Sequence, residues 1–115
     1  MMDQDSSMSL LREFKGNRKL LNAIGDETRQ AIIITLMQGT WSPGMRVGEI
    51  TEHTNLSRPA VSHQLKILKE AKVINVRKQG TMNFYYLDAI SELKELKALI
   101  EHFIRDCKQQ EGGDH

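Results

Sequence analysis

The stretch that most limits what this chain can become is residues 55–68, NLSRPAVSHQLKIL. Ser57 has the chemistry of an N-cap, since its hydroxyl can accept a bond from an orphan first-turn amide. Pro59 falls in that first turn, where a missing N–H costs little. Val61, Leu65 and Leu68 then recur at i, i+4 and i+7, which predicts a helix with one apolar stripe turned to a core. Pro59, Ser62, His63 and Lys66 project from the other side, flanked by Arg58 and Lys69, with no acid before Glu70. Small hydroxyls, an imidazole and lysines on a narrow face match the dimensions and base edges of a DNA major groove. An ordinary solvated helix face shares that pattern, so the neighbouring segments decide.

Charge distribution is the first of these. The chain's formal net charge is only +1 over 115 residues. Residues 56–86 nevertheless carry six Lys/Arg (Arg58, Lys66, Lys69, Lys72, Arg77, Lys78) against Glu70 alone, a local net of +5. The remainder carries ten basic and fourteen acidic residues, a net of −4. A basic block on an acidic body is an electrostatic footprint for a polyanion.

Upstream, residues 1–8 are polar and are expected to be a disordered tail. Leu10, Leu11, Phe14, Leu20, Leu21 and Ile24 have helical spacing, loosely interrupted at Gly16-Asn17, and Gly25 closes that helix. Asp26 caps a second helix over 27–38. Its near-continuous apolar centre, Ala31 to Met37, could make a strand, but the Asp26-Glu27 start and Gly39 stop favour a buried helix. Trp41, Pro43 and Gly44 mark a loop, and the tryptophan is read as plugging a core edge rather than stacking on a ligand. Residues 45–47 add a short strand. Val47 and Ile50 begin a short third helix to Thr54, whose His53 is expected to be exposed. Asn55-Leu56 turns into the basic helix, so the pair makes a helix-turn-helix.

Downstream, Val73-Ile74-Asn75-Val76-Arg77-Lys78 alternates and Asn83-Phe84-Tyr85-Tyr86-Leu87 is aromatic, with a Gly80 tip between them. This predicts a hairpin carrying Arg77, Lys78, Gln79 and Thr81 beside the basic helix, a wing able to reach phosphates or a minor groove. A final helix is capped by Asp88 and runs to Lys108. Its Ile90, Leu93, Leu96, Ile100, Phe103 and Cys107 step by three and four, widened by Leu99 and Ile104. A stripe that long needs a partner. First and last helices either cover each other within one chain or pair across a two-fold axis. The second arrangement is favoured and assigns Leu10, Leu11, Phe14, Leu93, Leu96, Ile100, Phe103 and Cys107 to a homodimer interface. The chain is thus mainly α with a β-hairpin, organised as residues 9–110 in one domain with polar tails at 1–8 and 111–115.

This order resembles the ArsR-type (arsenic- and zinc-sensor-like) winged helix-turn-helix regulators. Ile24-Gly25-Asp26-Glu27-Thr28-Arg29 is similar to that family's approach to its second helix, with Glu27 where proline is usual. Residues 56–68 are similar to its recognition helix, and Arg77-Lys78-Gln79-Gly80-Thr81 with Phe84-Tyr85-Tyr86-Leu87 to its wing. Lys72 departs from the glycine usual after the recognition helix, so it either strains in a left-handed cap or ends the helix differently. The resemblance implies a sequence-specific dimeric repressor on an inverted-repeat operator, released by a signal. It places Ser57, Arg58, Pro59, Ser62, His63, Lys66, Lys69, Arg77, Lys78, Gln79 and Thr81 on double-stranded DNA.

The family's sensing sites do not carry over. Its thiolate sites use cysteines on the third helix, and residues 46–52 contain none. Its zinc sites between paired last helices correspond to Ala89, Ser91, His102 and Arg105, of which only His102 can coordinate, and zinc needs three or four ligands. Cys107 is the chain's single cysteine. It is read as a buried packing thiol ahead of an intersubunit bond, and its solitude suits a reducing cytoplasm. No metal or other cofactor is therefore expected. The signal is left open among a metal, a small organic molecule, a partner protein or none. No signal peptide or membrane-length apolar run is expected. No nucleophile elbow, phosphate-cradling glycine loop or motif-placed catalytic group occurs, so the chain does not read as an enzyme. One alternative survives from another class: a winged helix kept as a protein-interaction or dimerisation module with secondary DNA contacts.

Overall fold

The computed structural model describes residues 4–112. The chain forms two compact units, one of residues 4–18 with 90–112 and the other Lys19–Ala89.

The first unit pairs α1 (Gln4–Gly16) with α6 (Ile90–Gly112). Helix α1 starts well before the expected Ser9, so residues 4–8 are helical rather than a tail. Its extra turn has a tertiary anchor: Ser6 Oγ lies 2.9 Å from His102 Nε2 and donates to Asp106 Oδ2 at 3.0 Å. At the other end α6 runs through the expected tail to Gly112, and residues 1–3 and 113–115 fall outside the described part. Helix α6 begins at Ile90, which moves the flanking cap position from the expected Asp88 to Ala89; the Asp88 N–H donates to the carbonyl of Val73 at 2.9 Å.

The expected first helix is two. Asn17 is buried, and its Nδ2 donates to the Glu13 carbonyl at 2.8 Å while its N–H reaches both Glu13 O and Phe14 O. A side-chain amide that competes for helix carbonyls ends α1 there. The chain then resumes as α2 (Arg18–Ile24).

In the second unit α3 (Glu27–Gln38) confirms the helical reading of the apolar run, with Asp26 as N-cap accepting from Arg29 N. Helix α4 (Val47–Thr54) and α5 (Arg58–Glu70) follow, then β1 (Ile74–Gln79) and β2 (Met82–Leu87) as an antiparallel pair. The core is Leu20, Ala23, Ile32, Leu36, Met45, Ile50, Val61, Leu65, Leu68, Val73 and Ile74, all buried.

The short strand expected at 45–47 shrinks to one bridge, Met45 with Tyr85, bonded both ways at 2.8 and 2.7 Å. Gly44 sets up that contact. Its φ is +109°, and a β-carbon there would lie 2.6 Å from the Tyr85 carbonyl oxygen. Gly80 opens the two-residue hairpin turn at φ +63°, while Thr81 keeps negative φ, the type II′ pattern.

Candidate nucleic-acid interface

Helix α5 is built as its sequence requires. Ser57 Oγ accepts from Ala60 N at 3.2 Å, and Pro59 occupies the first turn. Val61, Leu65 and Leu68 are buried, whereas Arg58, Pro59, Ser62, His63, Lys66 and Lys69 are all exposed. The helix is held at its back by a residue to which sequence reasoning gave no role. Arg29 donates through Nη1 to Gln64 Oε1 (2.9 Å), through Nε to the Ala23 carbonyl (2.8 Å) and through Nη2 to the Asn22 carbonyl (3.0 Å). Its side chain is only 11% exposed. One guanidinium thus satisfies the carbonyl end of α2 and orients α5, a use of the planar fork that lysine cannot reproduce. The motif Asp26-Glu27-Thr28-Arg29 was the available signal for it.

Helix α5 closes with a complete Schellman motif: Val73 N bonds Leu68 O, and Lys72 N bonds Lys69 O, each at 3.0 Å. Lys72 takes the left-handed position itself, at φ +61°. Of the two outcomes foreseen for this glycine-to-lysine departure, the strained one is realised.

Strand register divides the wing residues. Lys78 pairs with Asn83, and Val76 with Tyr85, on one face; Arg77 pairs with Phe84, and Gln79 with Met82, on the other. Arg77 is engaged locally. Its Nη1 donates to the carbonyls of Trp41 (2.6 Å) and Pro43 (3.0 Å). Its guanidinium carbon lies 4.2 Å from the Trp41 ring centre and 3.7 Å from that of Tyr86. Trp41 therefore does not plug a core. It is 65% exposed and lies edge-on to Tyr86, clasping the arginine. A partner 36 residues away in sequence explains why alternation alone could not find this. Lys78, Gln79 and Thr81 are exposed at the tip.

An open cleft of about 410 Å³ separates the wing tip from the starts of α4 and α5. Arg46, Glu49 and Glu52 line it from α4 and its cap, Arg58 from α5, and Thr81 and Asn83 from the wing. Arg46 and Asn83 were not singled out from sequence, because each stands alone among neutral or acidic neighbours there.

In the first unit, Leu10 and Leu99 are buried, while Leu11, Phe14, Leu93, Ile100, Phe103 and Ile104 stay exposed, with Phe14 edge-on to Phe103 at 5.8 Å. Leu96 is half-buried, and Cys107, expected as a buried thiol, is exposed because it lies on the uncovered side of α6. His102 is buried between carboxylates. Its Nδ1 is 2.9 Å from Glu13 Oε1, and its Nε2 is 3.3 Å from Asp106 Oδ2. Both ring nitrogens are thus engaged within the unit, which does not fit the family's zinc ligation at this position. Among the described residues no group of three or more His, Cys, Asp or Glu is placed to hold a metal ion. His53 is exposed as expected, with Nδ1 2.8 Å from the Glu49 carbonyl. No described helix is long and apolar enough to cross a membrane.

Known proteins share this arrangement. Residues 26–76 match the model of the bacterial regulatory protein arsR family. The transcriptional repressor SdpR of Bacillus subtilis is 41% identical over 69 residues, covering 60% of this chain and 72% of that protein. An uncharacterised HTH-type transcriptional regulator of Methanocaldococcus jannaschii is 33% identical over 88 residues, covering 75% of this chain and 96% of its own. An ArsR-like transcriptional regulator from Rhodococcus sp. RHA1 superposes with a TM-score of 0.77 over 90% of each chain, at 17% identity, a likeness of fold. With its winged helix-turn-helix and these relatives, the chain belongs to the arsR family of bacterial regulatory proteins, DNA-binding transcriptional regulators rather than enzymes.

Proposed function

We propose that the protein is a homodimeric, sequence-specific repressor acting in the cytoplasm on an inverted-repeat operator. The observation that carries the reading is the outer face of α5. Ser62, His63 and Lys66 are exposed together above a fully buried stripe, with Pro59, Arg58 and Lys69 around them and no acid between. Serine and histidine there suit base edges, and lysines suit phosphates. Lys78, Gln79 and Thr81 at the wing tip serve the adjoining backbone or minor groove. Arg77 serves the same surface by holding the wing to the Trp41 loop. Ser57 positions the helix start.

The first unit supports dimerisation. Leu11, Phe14, Leu93, Ile100 and Phe103 are large apolar side chains left exposed on α1 and α6, with Cys107 exposed on α6 as well, a pattern that a second copy would cover. A two-fold dimer presents two recognition helices to two half-sites, which makes the operator an inverted repeat. Repression takes its support from the Bacillus subtilis repressor SdpR. The residues at the family's usual metal positions favour a signal of another kind, a small organic molecule or a protein partner, or none.

The test is fluorescence anisotropy with DNA from upstream of the protein's own gene against scrambled DNA at two salt concentrations, with sedimentation of the free protein. The expected result is a dimer that prefers the upstream DNA by about a thousandfold. A monomer, or equal affinity for every duplex tested, would overturn the proposal.

A further inference from the structure

We infer that the cleft between α4, α5 and the wing seats one phosphate of the DNA backbone, with Arg46 and Asn83 as contacts beside Arg58. The inference rests on the DNA-reading role proposed above and adds two residues to it. Arg46 and Arg58 face the same space, yet neither pairs with Glu49 or Glu52. Ion pairs among the described residues are confined to Arg29 with Asp26 and to His102 with Glu13 and Asp106. Both guanidinium forks are therefore available to an oxygen-rich ligand, and their geometry suits phosphate. The Glu49 carboxylate is already engaged, accepting from Arg46 N at 3.1 Å.

The floor of the cleft is open. At Gly48, apart from its chain neighbours and the backbone of α4 itself, the one heavy atom within reach of a β-carbon is Arg58 Nη1, at 4.0 Å, so a ligand can approach the first turn of α4 from this side. Thr81 and Asn83 add a hydroxyl and an amide from the opposite wall. Lys78, register partner of Asn83, carries positive charge along the same face of the wing.

The two carboxylates decide the class of ligand. They balance the two arginines, so a free anion gains little by entering. A phosphodiester delivered by a duplex already docked on Lys66 arrives at high effective concentration and needs only local donors. Filling the cleft fixes the spacing between recognition helix and wing on the duplex.

A backbone contact is independent of sequence, so a random-sequence duplex suffices as probe. Anisotropy titrations over a salt series are expected to show that Arg46→Gln lowers the slope of log Kobs against log salt by about 1.8, roughly 0.9 for each copy in the dimer. Asn83→Ala should weaken binding several-fold at unchanged slope, because a neutral donor displaces no counterion. Both residues are exposed, and circular dichroism would verify that the variants fold. On the upstream duplex, where the register is fixed, replacing symmetry-related pairs of phosphates by neutral methylphosphonates should identify one pair of linkages at which wild type and Arg46→Gln bind alike. Wild-type slope and affinity in Arg46→Gln, with Lys66→Ala impaired, would overturn the cleft contact and leave the reading head standing. Wild-type protein that binds no duplex at any salt would overturn both. Saturable binding of inorganic phosphate, lost in Arg46→Gln, would overturn the backbone assignment in favour of a free anion.

Discussion

Replacing Lys72 by glycine should stabilise the unit that carries the recognition helix. Lys72 sits at φ +61° in the Schellman turn that joins α5 to β1. A left-handed conformation costs an L-residue roughly 1–2 kcal/mol. Glycine escapes that cost but has more freedom to lose on folding, which returns about 0.5–1 kcal/mol. The net gain is about 0.5–1 kcal/mol, a rise in Tm of about 2–6 °C for a chain this size. Lys72 also places a positive charge near the C-terminus of α5, a small favourable term that any neutral replacement forfeits. Lys72→Ala therefore serves as the control, since it loses the same charge but keeps the β-carbon. Thermal melts of the three proteins, at one fixed concentration because a dimer's Tm depends on it, should rank glycine above lysine and lysine at or above alanine. Lys72→Asn should fall between glycine and alanine. Equal melting of the glycine and alanine variants would refute the reasoning, because it would mean the left-handed turn costs a β-carbon no more than glycine's extra freedom returns.

Gly44→Ala should destabilise the fold by at least about 2 kcal/mol, combining a positive φ with a clash against the Tyr85 carbonyl, as denaturant titration would show. His102→Leu should cost about 2 kcal/mol by leaving Glu13 Oε1 without its imidazole partner, read by the same titration. Lys66→Ala and Lys78→Ala should each lower the salt slope of DNA binding by about 1.8 for a dimer that carries two copies, whereas Ser62→Ala and His63→Ala should narrow the gap between operator and scrambled DNA by about 1–3 kcal/mol. Arg29→Lys should weaken operator binding although Arg29 faces away from DNA, because one ammonium cannot replace three directed bonds to α2 and α5. Hydrogen exchange in α5 would report the loosening.

Local chemistry was readable where one cause dominated. Ser57, Pro59 and the stripe of Val61, Leu65 and Leu68 specify α5 without help from the rest of the chain. Asp26 and Gly39 bracket α3 strongly enough to overrule the β-like run between them. The failures occurred where a distant partner decides the outcome. Nothing near Ser6 announces that His102 and Asp106 will hold an extra turn of α1. The alternation of β1 separates Arg77 from Lys78 onto opposite faces, but only the folded loop shows that Arg77 meets two carbonyls and an indole. The break at Asn17 had a visible Gly-Asn signal; its strength comes from burial of the amide, which a sequence does not display.

The Trp41–Arg77–Tyr86 stack also makes the wing observable. Trp41 is the chain's sole tryptophan, so its ultraviolet emission arises from one indole, held 4.2 Å from the guanidinium carbon of a wing residue. Any bending of the hairpin against the loop alters that separation, and with it the polarity and quenching the indole experiences. The protein thus contains a built-in optical gauge of wing geometry, one that needs no label and lies on the face of the hairpin opposite Lys78.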